Sequence, residues 1–158
     1  LWKEKSGGSG GALPYIQLRH TETSSTDGGG SLLGAWRTLP FDDETSDTGN
    51  HCTLASDQFT LDAGTYRIKA HHIMYNCQNS RVKLYNISDA ADEIVGSNHY
   101  DSGATAQAVK VEGVFTIATA KTFELQYRSQ VTIATNGLGT NSGWGTEIYG
   151  SIELWKRA

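Results

Sequence analysis

The chain has 158 residues, enough for one domain with its own core and short of two. Lysine and arginine number 13 against 17 aspartates and glutamates, and the formal charge of −4 argues against a nucleic-acid protein or an anionic-membrane binder, both of which need a basic footprint. No stretch approaches the roughly 18 apolar residues of a spanning helix, and the start, "LWKEK", lacks the apolar segment of a signal peptide.

Residues 1–12 hold the Gly/Ser run Lys5 to Ala12, which reads as a flexible linker or the end of a stalk, so the folded unit is expected over 13–158. From Leu13 onward the apolar period is mostly two, the period of strands. "LPYIQLRH" alternates weakly, and "CTLASDQFTL" follows a polar, acidic loop. Asp62-Ala63-Gly64 reads as a tight connection into "TYRIKAHHIMY". That run sets Tyr66, Ile68, Ala70, His72 and Met74 on one face, and Arg67, Lys69, His71, Ile73 and Tyr75 on the other. "RVKLYNI" puts Val82 with Leu84, and "ISDAADEIV" is the one short helix candidate. "VKVEGVFTI" aligns Val109, Val111, Gly113, Phe115 and Ile117, while "KTFELQYRSQV" aligns Phe123, Leu125 and Tyr127. "TEIYGSIELW" aligns Ile148, Ile152 and Leu154 against Glu147, Tyr149, Glu153 and Trp155. Turn-rich pieces such as "TDGGG", "DETSDTGN", "DSGA" and "TNGLGTNSGWG" separate these runs. Short strands at such spacing predict an all-β antiparallel sandwich or jelly roll.

Catalytic motifs are missing: there is no GxSxG, P-loop, HExxH, or GxGxxG leading into a helix. The adjacent His71 and His72 would point to opposite faces of a strand, so they read as wall residues and not as a chelating pair. Asp42, Asp43, Glu44 and Asp47 could offer oxygens to calcium but lack the EF-hand spacing and read as a solvated loop; no metal site and no cofactor is expected. Cys52 and Cys77 read as two buried thiols, with a single disulfide as the alternative. "NIS" at Asn86 to Ser88 fits a glycosylation sequon and is read as a turn.

Two loops carry candidate receptor-binding residues: Trp144 in "NSGWGTE", and His99 and Tyr100 in "SNHYDSG". An aromatic ring in a small-residue loop can stack on a sugar or anchor a partner, although Trp144 in that position could also start the last strand and pack inward. A sandwich buries one face of each sheet, so the large side chains on the second face, Ile73, Tyr75, Tyr149 and Trp155, point to a partner, or to a loop folded over them.

The order of several motifs resembles the C1q/tumour-necrosis-factor-like jelly roll. Phe59, Gly64 and Tyr66 in "FTLDAGTYRIKA" are similar to its central signature, and "RVKLYN" to the strand that follows. "VEGVFTIATAKTFELQY" resembles the later strand pair, and "GWGTEIYGSIEL" the closing strand with Trp144, Gly145 and Tyr149. This resemblance covers most of Leu13 to Lys156. A narrower one, in "GAWRT", "DTGNH", "KTFELQYRSQ", "ATNGLG", "GTEIY" and "IELWK", is to C-terminal domains of phage fibres and spikes. The chain lacks the Gly-X-Y stalk of animal members, and at Ala120-Lys121 it lacks their Gly-Asp turn.

The resemblance implies a homotrimer with Ile73, Tyr75, Tyr149 and Trp155 at or near the subunit contact. It also implies a virion location, attachment to other virion proteins through the N-terminal segment, and non-catalytic adhesion to a bacterial surface glycan or protein. A capsid or tail decoration protein without its own receptor is the alternative, with a polysaccharide-degrading enzyme third.

Overall fold

A computed structural model describes residues 11–157; most of the expected linker, residues 1–10, lies outside the described residues. The described chain contains eleven strands and no helix. In chain order they are β1 (Tyr15–Glu22), β2 (Arg37–Thr38), β3 (Asp43–Asp47), β4 (Cys52–Ala55), β5 (Gln58–Leu61) and β6 (Gly64–Tyr75), then β7 (Ser80–Asn86), β8 (Ala91–His99), β9 (Ala106–Ile117), β10 (Lys121–Ser129) and β11 (Glu147–Arg157). They form a five-stranded sheet, β3-β1-β11-β6-β9, and a six-stranded one, β4-β5-β10-β7-β8 with β2 added to β10. The pairings between these strands are antiparallel, and the chain changes sheet at every connection except β4–β5 and β7–β8, which is a jelly roll.

Alternation fixes which side of each strand faces the other sheet. On β6, Tyr66, Ile68, Ala70, His72 and Met74 are all buried, as the period-two reading expects. Val109, Val111, Phe115 and Ile117 of β9 and Phe123, Leu125 and Tyr127 of β10 complete the apolar layer. Aromatic contacts link the sheets: Phe115 lies 5.7 Å from Tyr66 and 5.3 Å from Phe123, and Phe123 stacks at 5.8 Å on Phe59. Each large apolar side chain buried this way contributes about 1.5–3 kcal/mol of transfer free energy.

Three expectations need correction. The acidic run forms strand β3 on the edge of β1, because Asp47, which caps the following turn by accepting from Gly49 and Cys52, brings the segment alongside Ile16 and Leu18. "ISDAADEIV" is a turn followed by β8; Asn86 accepts from the Asp89 amide and closes the hairpin from β7. The third correction concerns the start of β11. His20 pairs with Gly150 but Thr21 pairs with Ile148, so the register shifts and Tyr149 is the extra residue of a bulge. Such a shift sends the following side chains to the opposite face. Ile148 therefore points outward and is 50% exposed, while Tyr149 points inward and is 4% exposed.

Chain ends and loops sort to opposite poles. Tyr15 pairs with Trp155, and Thr65 with Arg157, so the described termini share one pole. At the other pole the loops after β1, β6, β8 and β10 meet. Ser31 bridges Ile133, the Tyr75 amide donates to Gly137 at 2.9 Å, and the Asn76 amide donates to Thr105 at 3.0 Å.

Candidate functional site

The ends of β7, β8 and β10 lie side by side in the six-stranded sheet, with Arg81 opposite both Arg128 and Asn98, and Ser80 opposite both Ser129 and His99. Ser80 and Ser129 are buried, whereas Arg81, Asn98 and Arg128 on the alternate positions are exposed on the outer surface. The 31–36 segment folds against this end. Gly34 donates its amide to Ser129 at 3.1 Å, and Leu32 donates to the Tyr127 hydroxyl at 3.1 Å. Together these elements enclose a groove of about 650 Å³ whose walls include Leu33, Trp36, Arg81, His99, Arg128 and Gln130.

The groove is cationic in an acidic chain. No aspartate or glutamate lines it, and among the described residues neither arginine forms an ion pair. Arg81 Nε donates to the Gly96 carbonyl at 2.7 Å, which fixes the guanidinium and leaves its other N–H groups free. Trp36 carries Lys83 Nζ 4.4 Å above its ring, and Lys83 is itself paired with Asp92. Among the described residues, the two buried side-chain polar atoms without partners are Ser80 Oγ and His99 Nε2, and both belong to the groove wall. Unsatisfied polar atoms of this kind are rare in native structures and call for a functional explanation.

Of the receptor candidates, His99 sits in this groove, Tyr100 follows it with 62% exposure, and Trp144 lies on a separate loop outside the groove lining. Trp144 does not pack inward: it is 93% exposed. Its loop is held from beneath by Glu147, whose carboxylate accepts from the Ser142 amide at 3.0 Å, the Ser142 hydroxyl at 2.8 Å, the Gly143 amide at 2.7 Å and the Ser25 amide at 3.2 Å. These donors, the Ser142 amide foremost, hold the Glu147 carboxyl down at about 2.

The second face of the five-stranded sheet gathers the other candidates. Trp155 lies 5.4 Å from Tyr15, whose hydroxyl donates to Glu153 at 2.8 Å. Across the sheet, Trp155 pairs with Arg67 and Arg67 with Val114, which is 52% exposed. Ile73 and Tyr75 are half-buried on the same face of β6. Tyr149 does not belong to this face. Its ring packs 5.5 Å from His20 under this chain's own 26–30 and 137–139 loops, and its hydroxyl donates to Thr26 O at 2.7 Å. The bulge turns its ring inward, under loops of its own chain.

His71 and His72 point to opposite faces as expected, and no group of three metal-ligating side chains occurs among the described residues. In the acidic run, Asp42 accepts from the Thr21 amide at 2.8 Å and Asp47 from the Cys52 amide at 2.8 Å, so both carboxylates act as local acceptors. Cys52 and Cys77 are free, buried thiols; burial pushes Cys52 up to about 12 and raises Cys77 as well. Sequence reasoning missed the Arg81–Arg128 neighbours because nothing in the chain between them reveals that β7 pairs with β10. It also missed the inward-facing His20, although its spacing from Ile16 and Leu18 carried that signal.

No protein-family model and no curated relative matches the sequence. Solved structures do match it. The globular domain of zebrafish complement 1qA superposes with a TM-score of 0.57 at 14% identity, covering 92% of this chain and 98% of that one. Murine APRIL superposes with a TM-score of 0.61 at 11% identity, covering 92% and 99%. At these identities the likeness concerns the fold, and the chain is an all-β jelly roll of the C1q/TNF-like kind.

Proposed function

We propose that this domain is a non-catalytic, self-associating head that binds a receptor on a bacterial cell surface, carried on the fibre or spike of a phage particle. The observation that carries it is the outer face of the five-stranded sheet, where Tyr15, Trp155, Ile73, Tyr75, Val114 and Ile148 leave apolar surface beside the cross-strand neighbours Glu153, Lys69 and Glu112. Apolar area of this kind is usually covered by a partner. Two further copies of the chain around a threefold axis are the partner that fits a C1q/TNF-like sandwich. In that arrangement the described termini gather at one pole, where an N-terminal segment reaches other virion proteins, and the loops with Trp144 and His99 face outward at the other. The virion setting is supported by the "GAWRT", "ATNGLG" and "IELWK" similarities to phage fibre and spike domains.

A decoration protein without a receptor is the second reading, favoured by the same self-association face and separated from the first by binding alone. Labelled domain applied to a glycan array and to a panel of bacterial cells is expected to bind a defined subset of both. Uniform absence of binding removes the adhesive reading and leaves the decoration role. Release of reducing ends from capsular polysaccharide would overturn the non-catalytic assignment.

A further inference from the structure

We infer that the groove between β7, β8, β10 and the 31–36 segment is a binding site for an acidic saccharide, a sugar unit that carries a carboxylate. The inference rests on the adhesive reading for its biological setting and names the chemical class of the receptor. Arg81 and Arg128 stand directly opposite each other across the β7–β10 pair. Like charges in that position repel, and no carboxylate of the protein lies between them to relieve it. An anion placed between the two guanidiniums removes the repulsion and accepts from both. A planar carboxylate matches the fork geometry of arginine, and Arg81 is already oriented through its Nε bond to Gly96.

The rest of the wall fits a sugar better than a bare ion. Trp36 offers an aromatic surface against which the C–H face of a pyranose packs, and Gln130 and Asn98 offer amides for its hydroxyls. The volume of about 650 Å³ lies inside the roughly 300–1,000 Å³ range of small-molecule sites. Chain-wide acidity makes the contrast sharper: the molecule carries −4, yet this groove presents two unpaired cations.

The test is titration calorimetry of the whole chain with digalacturonate, a glucuronate-containing disaccharide and sialyllactose, each beside its neutral methyl ester. At least one acid is expected to bind, its ester at least tenfold more weakly, with affinity falling as salt is raised. Arg128→Ala should weaken that binding at least tenfold and the Arg81→Ala/Arg128→Ala double variant should abolish it, while Thr53→Ala, on the exposed side of edge strand β4 and outside the groove, leaves it unchanged. Both arginine side chains are exposed, so unchanged melting of these variants is expected and shows that the fold is intact. Equal binding of acid and ester, preference for a phosphorylated sugar, no binding of any of the three acids, or indifference to the double variant overturns the assignment. If the double variant still adheres to cells as the wild type does, this groove is not the receptor site and the adhesive reading stands. If the acids bind but no cell does, the groove assignment stands and the adhesive reading falls.

Discussion

His20 Nδ1 lies 2.9 Å from His72 Nε2 inside the sandwich, with the two rings stacked at 5.2 Å. His72 Nδ1 lies 2.8 Å from the Ile73 carbonyl, which can only accept, so that nitrogen carries the proton and Nε2 accepts from His20. Both nitrogens of His72 are then committed, so a second proton on that ring breaks the arrangement, whereas His20 Nε2 faces Glu22 at 3.8 Å. Burial, and then the neighbouring His20, hold His72 down at about 3; burial also lowers His20, against the opposing pull of Asp42 and Glu22.

The sign of the resulting pH dependence follows from proton counting. Below about 6.5 the unfolded chain takes up a proton on His72 while the native state does not, so stability falls as pH drops from about 6.5 toward 3, and the lowered His20 adds a loss of the same sign. The slope for the fully buried His72 is up to about 1.4 kcal/mol per pH unit. Glu147, held at about 2, adds a loss in the same direction only below about 4.5. Urea unfolding at pH 7.5, 6.0 and 5.0 should give a midpoint that decreases stepwise. A midpoint constant across that range contradicts a neutral buried pair.

Gly139→Ala should destabilise the domain by about 1–3 kcal/mol. Gly139 has φ +125, and an added Cβ would stand 2.2 Å from Tyr149 Cδ1, so backbone and ring must both move. Melting by circular dichroism checks this; a wild-type midpoint would mean that the 137–139 loop does not pin Tyr149.

Tyr149→Phe removes the hydroxyl bond to Thr26 O and is expected to cost about 1 kcal/mol, while leaving any assembly intact. Tyr149→Asp should unfold the chain and not merely separate subunits, because the ring is enclosed by its own loops. A folded, dissociated Tyr149→Asp protein would return Tyr149 to a subunit contact.

Glu147→Gln should loosen the loop that presents Trp144. The glutamine side chain has one acceptor oxygen in place of two, against four donors from Ser25, Ser142 and Gly143. Amide exchange over residues 142–146 is expected to quicken in the variant, with exchange in β6 unchanged. Equal protection in both proteins would show that the carboxylate does not organise the loop.

The fold was legible where alternation is long and uninterrupted. Burial alternates without a break from Tyr66 to Tyr75 on β6 and from Ala108 to Ile117 on β9, and these inward faces are as the sequence predicts. It was illegible where one bond changes the phase. The shift between His20 and Thr21 against β11 reverses Ile148 and Tyr149, and no local pattern in "TEIYG" announces it. The short acidic strand β3 looked like loop because its residues are mostly polar and its strand character comes from pairing with β1. The groove was the least visible feature. Arg81 and Arg128 are ordinary exposed strand residues in sequence, and only the β7–β10 register makes them neighbours.

The mass of the particle in solution tests the central claim most directly. Light scattering at micromolar concentration should report three times the 17.1 kDa chain mass. Ile73→Asp and Trp155→Asp, both on the open face of the five-stranded sheet, should shift it toward one chain without unfolding the domain. A wild-type protein that scatters as a single chain contradicts the self-associating head.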